Sequence, residues 1–406
     1  MTTPDDELRK PLLERLGVLK SHRLEFLQPS PIYVPVLCSV SQLPYAKSHP
    51  LEEHVQKLFS EIQDGSRVTS VVVLGPSGSG KTITMRSLER NYWHVLDLKD
   101  VGRRPQIVPI LLELREIALA KRYGFEGQRQ GESTPLNLRQ FALDRLNGLL
   151  TGSDLSQLEN LNIHVLWMFD GYDEMGTVQI LGKTLEECRL SIVSCRDSFA
   201  YDVLGEKVSR YLRPLCHPSV LKYNVLYVRG FDRERVQEYL TQALSLNAKL
   251  RNQWTVAGFT KVIQAVPGLS DQSQNPLMLS LIVNQAAFWT AETSLGPQVS
   301  SEEKGDLPYE NRVHSTDVLR KFLAVHYHTA LRKCRAEPDW QVSFEANFVD
   351  SCERFCSEVA LYMYEKDTFA VDVSHEPLHA RLSTTIPSYD SGLKTFILRS
   401  VPLEVR

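Results

Sequence analysis

Apolar residues recur along this chain with two different periods, and the change from one to the other divides it. Leu8, Leu12, Leu13, Leu16 and Leu19 stand at helical spacing and predict one amphipathic helix near 5–20. A proline-interrupted stretch from Pro29 to Val40 reads as extended. Pro50 suits a first helical position, and Leu51, Val55, Leu58, Phe59 and Ile62 form the stripe of a second helix that Gly65 ends. Then the period shortens. Ser70–Leu74, Ile107–Leu114, Ile163–Phe169, Leu190–Ser194 and Tyr223–Val228 are short, continuous and partly β-branched, the pattern of parallel strands buried on both faces. The chain between successive runs is long enough for crossover helices. After Gly230 the helical period returns. Asp232 is an N-cap candidate ahead of the face Val236, Tyr239, Leu240, Ala243 and Leu244, and further helices are expected at 255–266, 276–290, Val318–Leu331 and Phe344–Tyr364.

This order predicts an α/β core, a five-stranded parallel sheet flanked by helices, followed by helical domains. The expected organisation is an N-terminal helix and extended segment at 1–49, the α/β domain at 50–228, and a helical lid at 229–296. A polar linker with Gly, Pro and Ser follows at 297–313, then a helical, winged-helix-like region at 314–406. Phe344, Phe348, Phe355, Leu361 and the run Ile397–Val405 lead to the expectation that this last region is incomplete and lacks apolar partners.

The loop between the first strand and its helix carries the most specific chemistry. Gly75-Pro76-Ser77-Gly78-Ser79-Gly80-Lys81-Thr82 spells a complete G-x-x-x-x-G-K-T phosphate-binding loop. Its glycines allow backbone N–H groups to converge on phosphate oxygens, and the helix opening at Lys81 adds its positive end. Lys81 is expected at the β- and γ-phosphates and Thr82 on Mg²⁺. The strand Ile163–Phe169 ends in Asp170-Gly171-Tyr172-Asp173-Glu174, which puts Asp170 where Mg²⁺ needs a carboxylate. Gly171 occupies the place directly after it, so Asp173 and Glu174 become the candidates for activating water. At the end of another strand, Ser194-Cys195-Arg196 offers a guanidinium able to pair with the γ-phosphate.

These pieces together resemble the NACHT family of signal-transduction ATPases. The resemblance rests on the GPSGSGKT loop, the spaced acids of FDGYDE, the SCR triplet, and the segments Val228–Phe231 and Asn275–Leu279, and it covers about residues 50–290. Asp197 departs from the family, which commonly has proline there. The resemblance implies an ATP/ADP switch with slow hydrolysis, coupled to conformational change, self-oligomerisation and protein partners bound through modules outside this chain. It also implies that Pro276, in the lid, contacts the nucleotide. A turnover ATPase working on protein or nucleic acid, and a degenerate scaffold that binds no nucleotide, remain as alternatives.

Composition narrows these choices. A net charge of −3 offers no basic footprint for nucleic acid. The start, Met1-Thr2-Thr3-Pro4-Asp5-Asp6-Glu7, has no apolar signal core, no run is long enough to span a bilayer, and the seven cysteines follow no framework spacing. A cytoplasmic location is the expectation. His375-Glu376-Pro377-Leu378-His379 matches the zinc-protease pattern in letters only. Pro377 lies between the histidines, no helical stripe is visible around it, and no third ligand follows. Cys352 and Cys356 read as core thiols.

Overall fold

The computed structural model describes residues 4–43, 47–60, 68–101, 104–114, 149–175, 188–200, 221–285, 347–366 and 376–386, with isolated positions within 140–146, 318–335 and 393–397. The chain separates into two compact units, one of residues 1–253 with 274–277, the other of 254–273 with 278–406. The expected linker 297–313, Gly65, Phe344 and His375 lie outside the described residues.

The first unit is built on a seven-stranded sheet. In chain order its elements are α1 (Pro4–Phe26), β1 (Leu37–Ser39), β2 (His49–Pro50), α2 (Leu51–Ser60), β3 (Val68–Leu74), α3 (Lys81–Val95), β4 (Gln106–Glu113), α4 (Gly152–Asn160), β5 (Ile163–Asp170), β6 (Leu190–Cys195), β7 (Leu221–Arg229), α5 (Arg233–Leu246) and α6 (Ala248–Gln253). The five expected strands are all present and pair in parallel, in the order β7-β3-β6-β5-β4. The expected count was short by two. β1 and β2 extend the sheet as an antiparallel edge beyond β7. At three and two residues they are too short to show a period. Arg229 at the end of β7 fixes this edge: its guanidinium donates to Ser39 Oγ at 2.8 Å and to the carbonyls of Ser41 at 2.7 Å and Leu43 at 2.6 Å.

The core explains the patterning. β6 is buried along its whole length and β5 nearly so, as strands covered on both faces must be. α1 runs further than its leucine stripe suggests and continues through Pro11, where the missing N–H removes one helical rung. Tertiary contacts hold it. Leu12, Leu16 and Leu19 are buried in the main cluster with Trp93, Leu155 and Trp167, and Arg23 donates to both oxygens of Glu89 on α3 at 2.9 and 2.8 Å. α5 starts at Asp232 as expected; its carboxylate accepts from Arg235 N at 2.9 Å.

The second unit contains α7 (Val256–Ala265), α8 (Leu269–Ser273), most of α9 (Pro276–Asn284), α10 (Phe348–Glu365) and α11 (Glu376–Thr385). Thr255 caps α7 by accepting from Gly258 N at 3.0 Å. Two expectations are corrected here. Phe348 and Phe355 do have apolar partners: they are fully buried with Cys352, Val359, Leu378, Leu382 and Ile397, while Leu361 is exposed. And Glu376–Thr385 is helical around the H-E-x-x-H letters, because Pro377 falls in the first turn, where no N–H is needed, and Leu378 and Leu382 supply a stripe four residues apart. Among the described residues no cluster of three metal-ligating side chains occurs.

Candidate functional site

The parallel strands all end at one edge, and register aligns what they carry. Leu74 at the end of β3 is level with Cys195 of β6 and Tyr227 of β7, and Asp170 of β5 is level with Glu113 of β4. The phosphate loop leaving β3, the acid ending β5 and the Ser194–Arg196 triplet ending β6 therefore share the carboxyl edge of the sheet, where ligands bind in such folds.

The loop itself is a tight cradle. Gly78 and Gly80 have φ of +74° and +92°, the left-handed region that glycine adopts without strain. A Cβ on Gly78 would stand 2.8 Å from both Asn275 Oδ1 and Leu277 Cβ, and one on Gly75 would stand 2.8 Å from Val228 Cβ. Gly80 lies between Val36, 2.9 Å from its would-be Cβ, and Pro276, 4.0 Å from it. No side chain caps the start of α3. Ser79 Oγ, within the loop, is buried without a hydrogen-bond partner among the described residues.

Lys81 folds back over the loop, with Nζ donating to the carbonyls of Gly75 at 2.6 Å and Pro76 at 2.9 Å. Burial pushes its pKa down, opposed by the charges of Asp173, Asp170 and Asp197. Thr82 is exposed at the start of α3, and its hydroxyl favours the ionised form of Asp170. Asp170 is 5% exposed, accepts a short hydrogen bond from Ser194 Oγ, and has its pKa raised by burial, with those hydroxyls pulling the other way. Ser194 Oγ also accepts from Gly171 N at 2.9 Å, so one hydroxyl joins the ends of β5 and β6.

Beyond Asp170 the chain turns sharply. Gly171 has φ +76°, and Tyr172–Met175 form a single 3₁₀ turn closed by Glu174 N on Gly171 O at 2.8 Å. This turn separates the two candidate acids. Asp173 is buried and held by Arg196, whose N–H donates to Oδ1 at 2.9 Å and whose Nε meets Oδ2 at 2.8 Å. The Glu174 side chain is 40% exposed and meets Arg196 Nη2 at 3.6 Å. The thiol of Cys195, next to them, is pushed up to about 12 by burial and is a core group.

The loop residues Gly75–Thr82, Asp170, Asp173, Glu174, Arg196 and Pro276 are thus brought to one place. Sequence reading assigned Asn275 no role beyond its place in the segment Asn275–Leu279, yet its Nδ2 donates to Ser77 O at 2.9 Å while its Oδ1 accepts from Leu277 N at 3.0 Å. The Asn-Pro pair at a helix start was the available signal, since it marks an N-cap followed by a first-turn proline.

The residues present fit a magnesium–nucleotide. The glycine cradle, the uncapped helix end, the lysine on the loop carbonyls and the Thr82–Asp170 pair are the donor and acceptor set that such a ligand requires. The fold is a P-loop α/β fold. No family model matches the chain, and no curated protein matches it in sequence. Among solved structures it is similar to the ORC2 protein of Aeropyrum pernix, titled as ADPNP-ADP complexes, at 14% identity over 84% of this chain and 80% of that one, with a TM-score of 0.35. It is also similar to C. elegans PCH-2, at 10% identity over 78% of this chain and 66% of that one, with a TM-score of 0.28. Both scores are low, so the P-loop assignment stands on this chain's own strand order and loop. Among the described residues no helix is long and apolar enough to cross a membrane.

Proposed function

We propose that this chain binds ATP and ADP with Mg²⁺ in the 75–82 loop and works as a slowly hydrolysing nucleotide switch of the NACHT type, acting through protein partners or self-association. The observation that carries the reading is the convergence of the loop, Asp170 with its bond from Ser194, and Arg196 on one sheet edge. Bound Mg²⁺ would neutralise phosphate charge. Lys81 would hold the β- and γ-phosphates, and Thr82 would ligate the metal with Asp170 behind it. Glu174 would accept the proton of attacking water. Arg196 would answer to the γ-phosphate, and Pro276 would pack on the nucleotide beside Gly80.

Slow hydrolysis is supported by a specific feature. Arg196 is committed to Asp173 through its N–H and Nε, so its guanidinium must leave that carboxylate before it can answer to a γ-phosphate. A turnover ATPase would need that pairing undone in every cycle. Calorimetric titration with Mg-ATP and Mg-ADP, with steady-state turnover on the same protein, tests the reading. Micromolar or tighter binding that Lys81→Ala weakens at least about a hundredfold is expected, with turnover far below the usual range of about 1–1000 per second. Turnover within that range would favour a working ATPase, and no binding by the unaltered protein would leave only a scaffold.

A further inference from the structure

We infer that Asn275 is a positioning residue for the phosphate loop, an inference that rests on the nucleotide-binding reading above. The carbonyls of Gly75, Pro76, Ser77 and Gly78 all have donors; Gly75 and Pro76 accept from Asp197 N at 3.4 Å and Ser79 N at 3.3 Å as well as from Lys81. Lys81 Nζ serves Gly75 and Pro76 from within the motif. Ser77 and Gly78 are served from almost two hundred positions away, by Asn275 Nδ2 at 2.9 Å and Leu277 N at 3.2 Å. This second pair belongs to a strap, Gln274–Leu277, which is itself fastened by Phe231 N donating to Gln274 O at 2.7 Å.

Peptide planarity turns this into an effect on phosphate. In a trans peptide the C=O of one residue and the N–H of the next point in opposite directions. At Gly78 the carbonyl points to the strap, and the following N–H, that of Ser79, points back into the loop to Pro76 O at 3.3 Å. The side away from the strap is therefore the interior of the loop. By the same geometry, Asn275 holds Ser77 C=O toward the strap and so aims Gly78 N–H into the interior. A glycine loop free to flip its peptides would have to pay for that orientation when phosphate arrives; here it is set beforehand.

Gly78 is also forced to lack a side chain by this strap, since a Cβ there would collide with Asn275 and Leu277. The second bond of Asn275, Oδ1 accepting from Leu277 N at 3.0 Å, caps α9, so one amide joins the loop to the first turn of that helix. Seating of the helix start and phosphate affinity are consequently linked, and what loosens one weakens the other.

Two substitutions separate the two bonds. Asn275→Asp and Asn275→Ser both keep an oxygen that caps a helix well, and both lose the N–H₂ that holds Ser77 O. For each, the melting temperature without nucleotide is expected to stay within about two degrees of the unaltered protein, because the cap survives. The Kd for Mg-ADP and the KM for Mg-ATP are expected to rise about tenfold, with kcat within about twofold, as loss of one preset hydrogen bond would give. Unchanged Kd in both variants, or a fall in melting temperature with Kd unchanged, would overturn the inference and leave Asn275 a helix cap only. Failure of the unaltered protein to bind Mg-ADP would instead remove the reading on which it rests.

Discussion

Arg196 grips Asp173 twice, through its backbone N–H to Oδ1 at 2.9 Å and through Nε to Oδ2 at 2.8 Å. Both carboxylate oxygens are thereby used, on a side chain that is buried. The neighbouring Glu174 meets the same guanidinium at 3.6 Å and is 40% exposed. Two acids that look equivalent in sequence are placed in different chemical situations by one 3₁₀ turn.

The first prediction follows from that difference. Glu174→Gln is expected to slow ATP hydrolysis by about a hundredfold or more with Mg-ATP affinity within about threefold, since an amide keeps the shape but accepts no proton. Asp173→Asn is expected to lower thermal stability as well as turnover, because it removes the charge that anchors Arg196. Single-turnover kinetics and thermal melts on the two variants check this. Identical behaviour would mean that the acids share one role.

Asp170 gives a pH-dependent expectation. Burial raises its pKa above the ordinary aspartate value, and a cation nearby favours the ionised form. The sign is then fixed. Below the raised pKa the carboxyl is protonated and must lose its proton when Mg²⁺ binds, so Mg-nucleotide affinity should fall as pH drops through it, with proton release on binding. The same raised pKa makes ionised Asp170 a cost to the fold, so its contribution to stability declines as pH rises from the unfolded value to the folded one. Calorimetry at mildly acidic pH in buffers of different ionisation enthalpy measures the released proton. Asp170→Asn should abolish that release; release persisting in the variant would place the proton elsewhere.

How far the sequence carried these conclusions varies with the length of the pattern. The five parallel strands were legible because strands covered on both faces read as unbroken apolar runs, as Leu190–Cys195 does. The placement of Gly75–Thr82 and Asp170 at the ends of their strands was legible because a spaced motif directly follows an apolar run in each case. The edge strands Leu37–Ser39 and His49–Pro50 were not, since two or three residues carry no period and their pairing depends on Arg229 far along the chain. The helix at Glu376–Thr385 was hidden by Pro377, which reads as a breaker unless the helix is known to start just before it. The different settings of Asp173 and Glu174, and the grip of Asn275 on Ser77, depend on contacts between distant segments that no local pattern encodes.

The N-terminal helix provides a stability test. Arg23 reaches both oxygens of Glu89, which is 1% exposed and also accepts from Trp93 Nε1 at 3.4 Å. Burial raises the Glu89 pKa and Arg23 pulls it down. Arg23→Ala strands a carboxylate inside the core and is expected to cost about 3–5 kcal/mol near neutral pH. The loss should shrink at acidic pH, where Glu89 takes up a proton. Adding Glu89→Gln to Arg23→Ala should recover part of the loss, because a neutral amide is cheaper to bury than an unpaired charge. Urea unfolding of the single and double variants measures this; a double variant no more stable than Arg23→Ala would show that the packing of the guanidinium, not its charge, holds α1.

Nucleotide should be felt locally in the first unit. Hydrogen exchange with and without Mg-ADP is expected to show protection at residues 75–82 and at the strap 274–277, because Ser77 and Gly78 are bonded directly to Asn275 and Leu277. α10 should behave differently. Phe348, Cys352, Phe355 and Val359 recur every three or four residues and are buried among Leu378, Leu382 and Ile397, so its amides are shielded by a core of their own. Strong protection there, equal with and without Mg-ADP, is the expected result. Phe355→Ala would then cost about 3–5 kcal/mol of stability in this core and leave Mg-ADP affinity within about twofold. Rapid exchange throughout Phe348–Glu365 in the unaltered protein would mean that this cluster does not hold together in solution. Protection that appeared there only with Mg-ADP would mean that the nucleotide orders the second unit as well as the loop it binds.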